Sequence, residues 1–280
     1  MARSGINPIS YRPWAGKRTR HIYRLYVISR AVFSEKVRSK GVLVLLFIGV
    51  ILVHAFPLIF KVLLPHEGLT TDDMIGQGNT IFGGGLFLIL SMLLAAVVSS
   101  DLVSRDLSDN SFVLYFSRPI RPLDYMVGKM AGGFSVMSIF CLLPVLAFGL
   151  AIIATQSGSD YLESLGVLGL GAVAGILTSV FFLGFGTMLS SVTRSRAYAG
   201  VGTFVSFFVL SLISGLFQNI DANWLLANPF NLLQYSYSMI FGKGLPEELS
   251  PNLYWAVISS ILLLPLLVAY WRIHLKATGK

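Results

Sequence analysis

GVLVLLFIGVILVHAFPLIF, residues 41–60, runs for twenty residues without an Asp, Glu, Lys or Arg. A helix that crosses a bilayer needs about 20 consecutive apolar residues, so this stretch predicts a membrane span. Forty mostly polar residues precede it. A secretory n-region is far shorter, so the run reads as a retained span rather than a cleaved signal. Working outward, five more apolar runs appear near 80–99, 131–153, 166–189, 198–217 and 253–271. Pro57, Pro144 and Pro265 fall inside spans, where neighbouring helices satisfy the carbonyls that proline frees. Composition agrees. Hydrophobic residues make up 55% of the chain, charged residues 12%, and mean hydropathy is +0.74. Soluble domains carry about a quarter charged residues.

The fold class expected is an all-α integral membrane protein with six transmembrane helices. Orientation follows from the basic residues. Residues 1–40 hold ten Lys or Arg, the 100–130 loop four, the 190–197 loop two and the tail three. Only Lys61 and Lys243 fall in the loops of the opposite side. Short loops rich in Lys and Arg stay in the cytoplasm, so both termini are expected there. The parts are then a cytoplasmic N-terminus over 1–40, a six-helix domain over 41–271 and a tail over 272–280. The net charge of +8 is spread along span flanks. It reads as a membrane pattern, and no nucleic-acid partner is expected.

Ionisable residues deep in a membrane mark ion pathways or substrate sites. Here His54 is the one candidate, and hydrogen bonding to a neighbouring helix accounts for it simply. His66-Glu67 opens like a zinc-protease HExxH, but Thr70 stands where the second His must be, so the ligand spacing fails. Cys141 is the only cysteine. That leaves no disulfide within the chain and no cysteine-based metal site. Neither Gly128-Lys129 nor Gly242-Lys243 belongs to a G-x-x-x-x-G-K-[ST] loop, so the chain does not cradle nucleotide phosphates by that motif. Work across the membrane would draw its energy from a partner.

SDLVSRDLSDNSFVLYFSRPIRPLDYMVGKM, residues 100–130, is the candidate handle for that partner. Arg105 and Asp106 extend the second span past the lipid. Asp109-Asn110-Ser111 reads as a turn, since short polar side chains bond their own backbone. Phe112–Phe116 is an apolar patch on the cytoplasmic side. Pro119 and Pro122 stiffen the chain after it, and Pro122 suits the first turn of a new helix.

These residues resemble the signature loop of the type-2 ABC transporter permeases. That loop commonly shows an acid, a Gly-Thr, a short apolar run, S-R-P and a closing Gly-Lys. Asp106, Phe112–Phe116, Ser117-Arg118-Pro119 and Gly128-Lys129 stand in those places. The chain departs at Asn110-Ser111, where Gly-Thr is usual, and at Arg121-Pro122, where Ser-Arg is common. The resemblance implies a membrane permease subunit of an ATP-driven transporter, an exporter, whose loop inserts into a separate ATP-binding cassette subunit. Asp101, Arg105, Asp106, Phe112, Ser117, Arg118, Pro119, Arg121, Lys129 and Arg194 are the residues it nominates for coupling. Arg118 would offer a planar fork to a carboxylate on the ATPase. ATP and Mg2+ would sit on the partner, with no cofactor on this chain. A second permease copy or a homologue would complete the path in a prokaryotic plasma membrane. Three other readings stay open: an assembly module that transmits force without moving a solute, an ion-coupled secondary transporter, and a membrane-embedded enzyme.

Three further features are weighed. Residues 20–39 place Ile22, Leu25, Tyr26, Val32, Phe33 and Val37 on one helical face, with Arg24, Arg30, Ser34, Glu35 and Arg38 opposite and Lys36 interrupting the apolar side. A basic amphipathic helix lies in the membrane interface, so membrane lipids are expected partners. Gly171, Gly175 and Ser179 form a small-residue stripe that lets helices approach closely, within the chain or across a dimer. The outer segment 218–252 is too long for a structureless loop. Asn228-Pro229 predicts a helix start with Asn as cap and Pro at the first position. Short outer-leaflet helices are expected there.

Overall fold

A computed structural model of the chain describes residues 21–55, 82–117, 120–153 and 160–278. The outer end of the first apolar run, Lys61, the His66-Glu67 pair, Arg118 and Pro119 lie outside these residues. All regular structure among the described residues is helical. The helices are α1 (His21–Val37), α2 (Lys40–Gly49), α3 (Gly85–Ser99), α4 (Ser104–Ser108), α5 (Phe112–Phe116), α6 (Pro122–Cys141), α7 (Leu143–Ile153), α8 (Asp160–Val192), α9 (Arg196–Phe217), α10 (Pro229–Ile240) and α11 (Pro251–Ala277). A π-helical stretch, Val50–Ala55, prolongs α2, and a 3-10 turn, Ala222–Ala227, precedes α10.

Four helical segments are long and apolar enough to cross a membrane: Gly85–Ser108, Leu162–Val192, Arg196–Phe217 and Pro251–Ala277. The bent pair Ile22–Val37 and Lys40–Ala55 makes a fifth if counted as one span. Length and apolarity therefore establish four or five spans among the described residues, short of the six expected. The expected third span, 131–153, is divided by a break at Leu142 between the end of α6 and the 11-residue α7. The break has a chemical cause. Pro144 has no N–H for the carbonyl four residues back, that of Phe140. His54 supplies the missing donor, its Nε2 standing 3.1 Å from the Phe140 carbonyl oxygen. A carbonyl only accepts, so Nε2 carries the proton in this contact. The ring sits edge-on between Phe87 and Phe140, at 6.1 and 5.4 Å between centroids.

α8 is the central helix and packs against α3, α6, α7, α9, α10 and α11. Its 33 residues extend about 50 Å, well beyond the roughly 30 Å of hydrocarbon. Small residues admit the close contacts. A Cβ added at Gly175 would stand 2.6 Å from the Cys141 carbonyl oxygen, so any side chain there would push α8 off the α6–α7 break. Gly171 faces Val145, and the Ser179 hydroxyl donates to the Gly175 carbonyl. The small-residue stripe thus packs inside the chain. The core it builds is aromatic: Phe82, Phe87, Phe140, Phe181, Phe182, Phe207 and Tyr237 are all buried.

Two ends follow from this packing. One gathers the basic loops, where α1, α4, α5 and the ends of α8 and α11 meet. The other gathers Gly83, the 3-10 turn, α10 and the start of α11.

Candidate functional site

The site is built at the basic end, where the helix of α3 breaks and turns. Breaking a helix leaves N–H and C=O groups without intrahelical partners. Ser190, reaching across from α8, satisfies three of them. Its hydroxyl accepts from the N–H of Val103 at 3.1 Å and of Ser104 at 3.0 Å, and donates to the Ser100 carbonyl at 3.2 Å. The short α4 that follows ends in a left-handed residue, Asn110, at φ 53°. The Ser111 N–H then bonds back to the Asp106 carbonyl at 2.9 Å, the six-to-one closure of a Schellman motif. Left-handed backbone favours glycine and tolerates asparagine.

The turn projects α5. Its inner side is aromatic: Phe112 stacks on Phe116 at 5.6 Å and lies 5.3 Å from Tyr125. Its outer side is bare. Val113 is 73% exposed and Leu114 71%, next to exposed Ser117, whose hydroxyl donates to the Leu114 carbonyl at 3.0 Å. Arg121, also exposed, is the N-cap of α6; its N–H meets the Asp124 carboxylate at 3.4 Å, and Pro122 opens the helix.

A charged brace roots this knob. Asp106 Oδ2 accepts from the Tyr125 hydroxyl at 2.5 Å and from Lys129 Nζ at 2.9 Å. Asp106, Tyr125 and Lys129 are largely buried. Lys129 also faces the rings of Tyr115 and Tyr125, at 5.9 and 5.5 Å. Burial first, and then the Asp106 charge, raise the Tyr125 pKa well above that of a free phenol. Tyr125 therefore keeps its proton and remains a donor to Asp106.

A second brace joins α1 to the same junction. Lys36 pairs with Asp101 and also donates to the Val97 carbonyl, and Arg105 pairs with Glu35. Burial lowers the Lys36 pKa, with Asp101 opposing that shift. Lys36 breaks the apolar side of α1 because that side faces protein and an acid waits there. α1 itself rests on α6 through two glycines. A Cβ at Gly128 would stand 2.9 Å from Ile28 Cβ, and one at Gly132 would stand 2.7 Å from the Ser29 carbonyl oxygen.

The ten residues nominated from sequence thus separate. Asp101, Arg105, Asp106, Phe112 and Lys129 come together as internal bracing. Ser117 and Arg121 lie on the exposed tip, and Arg194 is exposed in the turn between α8 and α9. Arg118 and Pro119 lie outside the described residues. Sequence reasoning missed Glu35, Lys36, Tyr125, Ser190 and the packing role of Gly128 and Gly132. Only Lys36 left a signal, as a charge on the wrong face.

The profile of the "ABC-2 family transporter protein" family matches residues 26–273, nearly the whole chain. The chain belongs to the ABC-2 transporter family. A search of curated proteins finds no match. Membership makes this ABC-2 protein a multi-pass membrane transport subunit of the permease type, not the ATPase, and implies in general a partnership with an ATP-binding cassette subunit.

Proposed function

We propose that this permease is driven as an exporter through the α5 knob, which docks into a cleft of its ATP-binding cassette partner on the cytoplasmic side. The observation that carries the reading is the exposed Val113–Leu114 tip. Apolar residues facing away from both core and lipid mark an interaction surface. The braces behind the tip give it the stiffness that force transmission needs. Asp106, Lys129 and Tyr125 are positioning residues in this reading, while Val113, Leu114, Ser117, Arg121 and Arg194 face the partner. Arg118, beside them in sequence, would offer its fork to a carboxylate. Ser190 ties the turn before Arg194 to the base of the knob, so the two basic loops move as one. Two copies, or one copy and a homologue, flank the path in a plasma membrane, each with six spans. The sixth span is supplied by the apolar part of α6, from residue 131, and by α7, joined across their break. Mg2+ and ATP belong to the partner.

The test is co-purification in mild detergent with a C-terminal tag. An ATP-hydrolysing partner is expected with the wild type. It should be lost, or its activity uncoupled from transport, in Val113→Asp/Leu114→Asp and weakened in Arg118→Ala. An unchanged partner and unchanged transport in all of these variants would overturn the docking assignment. Ion-gradient-driven transport in ATP-free vesicles would overturn the ATP-driven reading itself.

A further inference from the structure

α1 has two edges, and the braces use only one. Ile28, Ser29, Val32 and Lys36 face α6 and the α3–α4 junction. Ile22, Tyr23, Tyr26, Val27 and Arg30 repeat at helical spacing on the other edge, and all five are exposed. Arg38 and Lys40, at the corner into α2, are exposed as well. The sequence expectation of a single apolar face is corrected here: Ile22 and Tyr26 point away from the protein while Val32 points into it.

The bend between α1 and α2 is 77°. With α2 entering the membrane along its normal, α1 lies nearly in the plane of the surface. A helix in that plane with apolar and aromatic residues on one edge and basic residues along it fits a headgroup layer. The segment that carries it is strongly basic. Residues 1–40 carry ten Lys or Arg and one acid, Glu35, and Glu35 is paired with Arg105.

We propose that the outward edge of α1 binds anionic phospholipid headgroups of the cytoplasmic leaflet, and that Glu35–Arg105 and Lys36–Asp101 pass this contact to the knob. The partner is the anionic lipid surface, because tyrosines and aliphatics accompany the charges and a soluble anion has no use for them. A clamped α1 holds the α3–α4 junction in one place. An unclamped α1 lets it shift. The second half of the proposal rests on the coupling function of α5, while the lipid contact does not.

The experiment uses the full chain in two arms. In the first, detergent-purified protein is exposed to equal phosphatidylglycerol and phosphatidylcholine, and retained lipid is counted by native mass spectrometry. Wild type is expected to retain phosphatidylglycerol preferentially, and Arg30→Gln/Arg38→Gln to lose roughly tenfold of that preference, since each basic residue near an anionic surface contributes severalfold. Added salt should reduce the wild-type preference, because exposed charges are screened. Glycerol phosphate in excess should not displace the lipid. Equal retention of both lipids by wild type, or an unchanged preference in the variant, overturns the site. Displacement by glycerol phosphate overturns the lipid surface in favour of a simple anion site. The second arm follows amide exchange across residues 100–117 in nanodiscs of either lipid. Slower exchange with phosphatidylglycerol, lost in the variant, is expected. A lipid preference with identical exchange overturns the transmission to the knob and leaves the docking reading untouched.

Discussion

Each end of the permease fastens a short helix to the long ones, and the two ends do it with different chemistry. At the basic end, α5 is rooted by charged groups: Asp106, Lys129, Lys36, Asp101, Arg105 and Glu35. At the other end, α10 is held by neutral hydrogen bonds, one to each neighbour. Gln234 donates to the Gly83 carbonyl at 2.8 Å, Tyr237 bonds Thr178 at 2.7 Å, the Tyr254 hydroxyl donates to Ser236 at 2.9 Å, and Ser211 donates to Asn228 at 3.0 Å. Asn228 meanwhile caps α10, accepting from the Phe230 N–H at 3.0 Å, as the Asn-Pro dipeptide predicts. The difference teaches where each chemistry is sustainable. A buried charge that loses its partner is left uncompensated at high cost, so the buried charges sit where opposite charges meet them, at the basic end. A neutral donor that loses its partner leaves a smaller debt.

The comparison is broken most severely at Asp106. Removing one partner of a buried ion pair costs about 3–5 kcal/mol, so Asp106→Ala or Lys129→Met should lower the thermal midpoint strongly. Asp106→Leu/Lys129→Met should recover much of that loss, because no unpaired charge remains. A double variant as unstable as either single one would show that the brace is something other than an ion pair. Next comes His54. His54→Leu leaves the Phe140 carbonyl without a donor, a cost of about 1–3 kcal/mol. In a Pro144→Ala background residue 144 supplies its own N–H, and the same change should cost much less. Equal costs in both backgrounds would detach His54 from the proline break.

Tyr237→Phe sharpens the neutral side. Thr178 keeps its bond to the Ala174 carbonyl at 2.7 Å, so only one hydroxyl contact is lost, and the expected cost is about 1 kcal/mol. A loss as large as that of Asp106→Ala would erase the contrast between the ends. The smallest stability effect belongs to Val113→Ser/Leu114→Ser. Both side chains are exposed, so the thermal midpoint should move little, within about 0.5 kcal/mol, while binding of the ATP-binding cassette subunit falls. A large stability loss would place the tip in the permease core instead.

The sequence by itself determined the solvent of this protein, its helical class, the grouping of its basic loops and the family signature. Those are matters of local composition. Twenty uncharged residues announce a lipid environment wherever they fold, Pro122 and Asn228-Pro229 announce helix starts, and Ser117-Arg118-Pro119 stands in the place of a known motif. Tertiary structure alone decided which nominated residues lie exposed and which brace the chain. Asp106 and Lys129 lie 23 positions apart and meet only because Asn110 reverses the chain between them. Lys36 finds Asp101, His54 finds the carbonyl freed by Pro144, and Ser190 finds two N–H groups of a broken helix. Each is a long-range match between a polar group and an unsatisfied one. A single polar residue reads the same in sequence whether its partner lies across the fold or in water, so such matches become legible only once the helices pack.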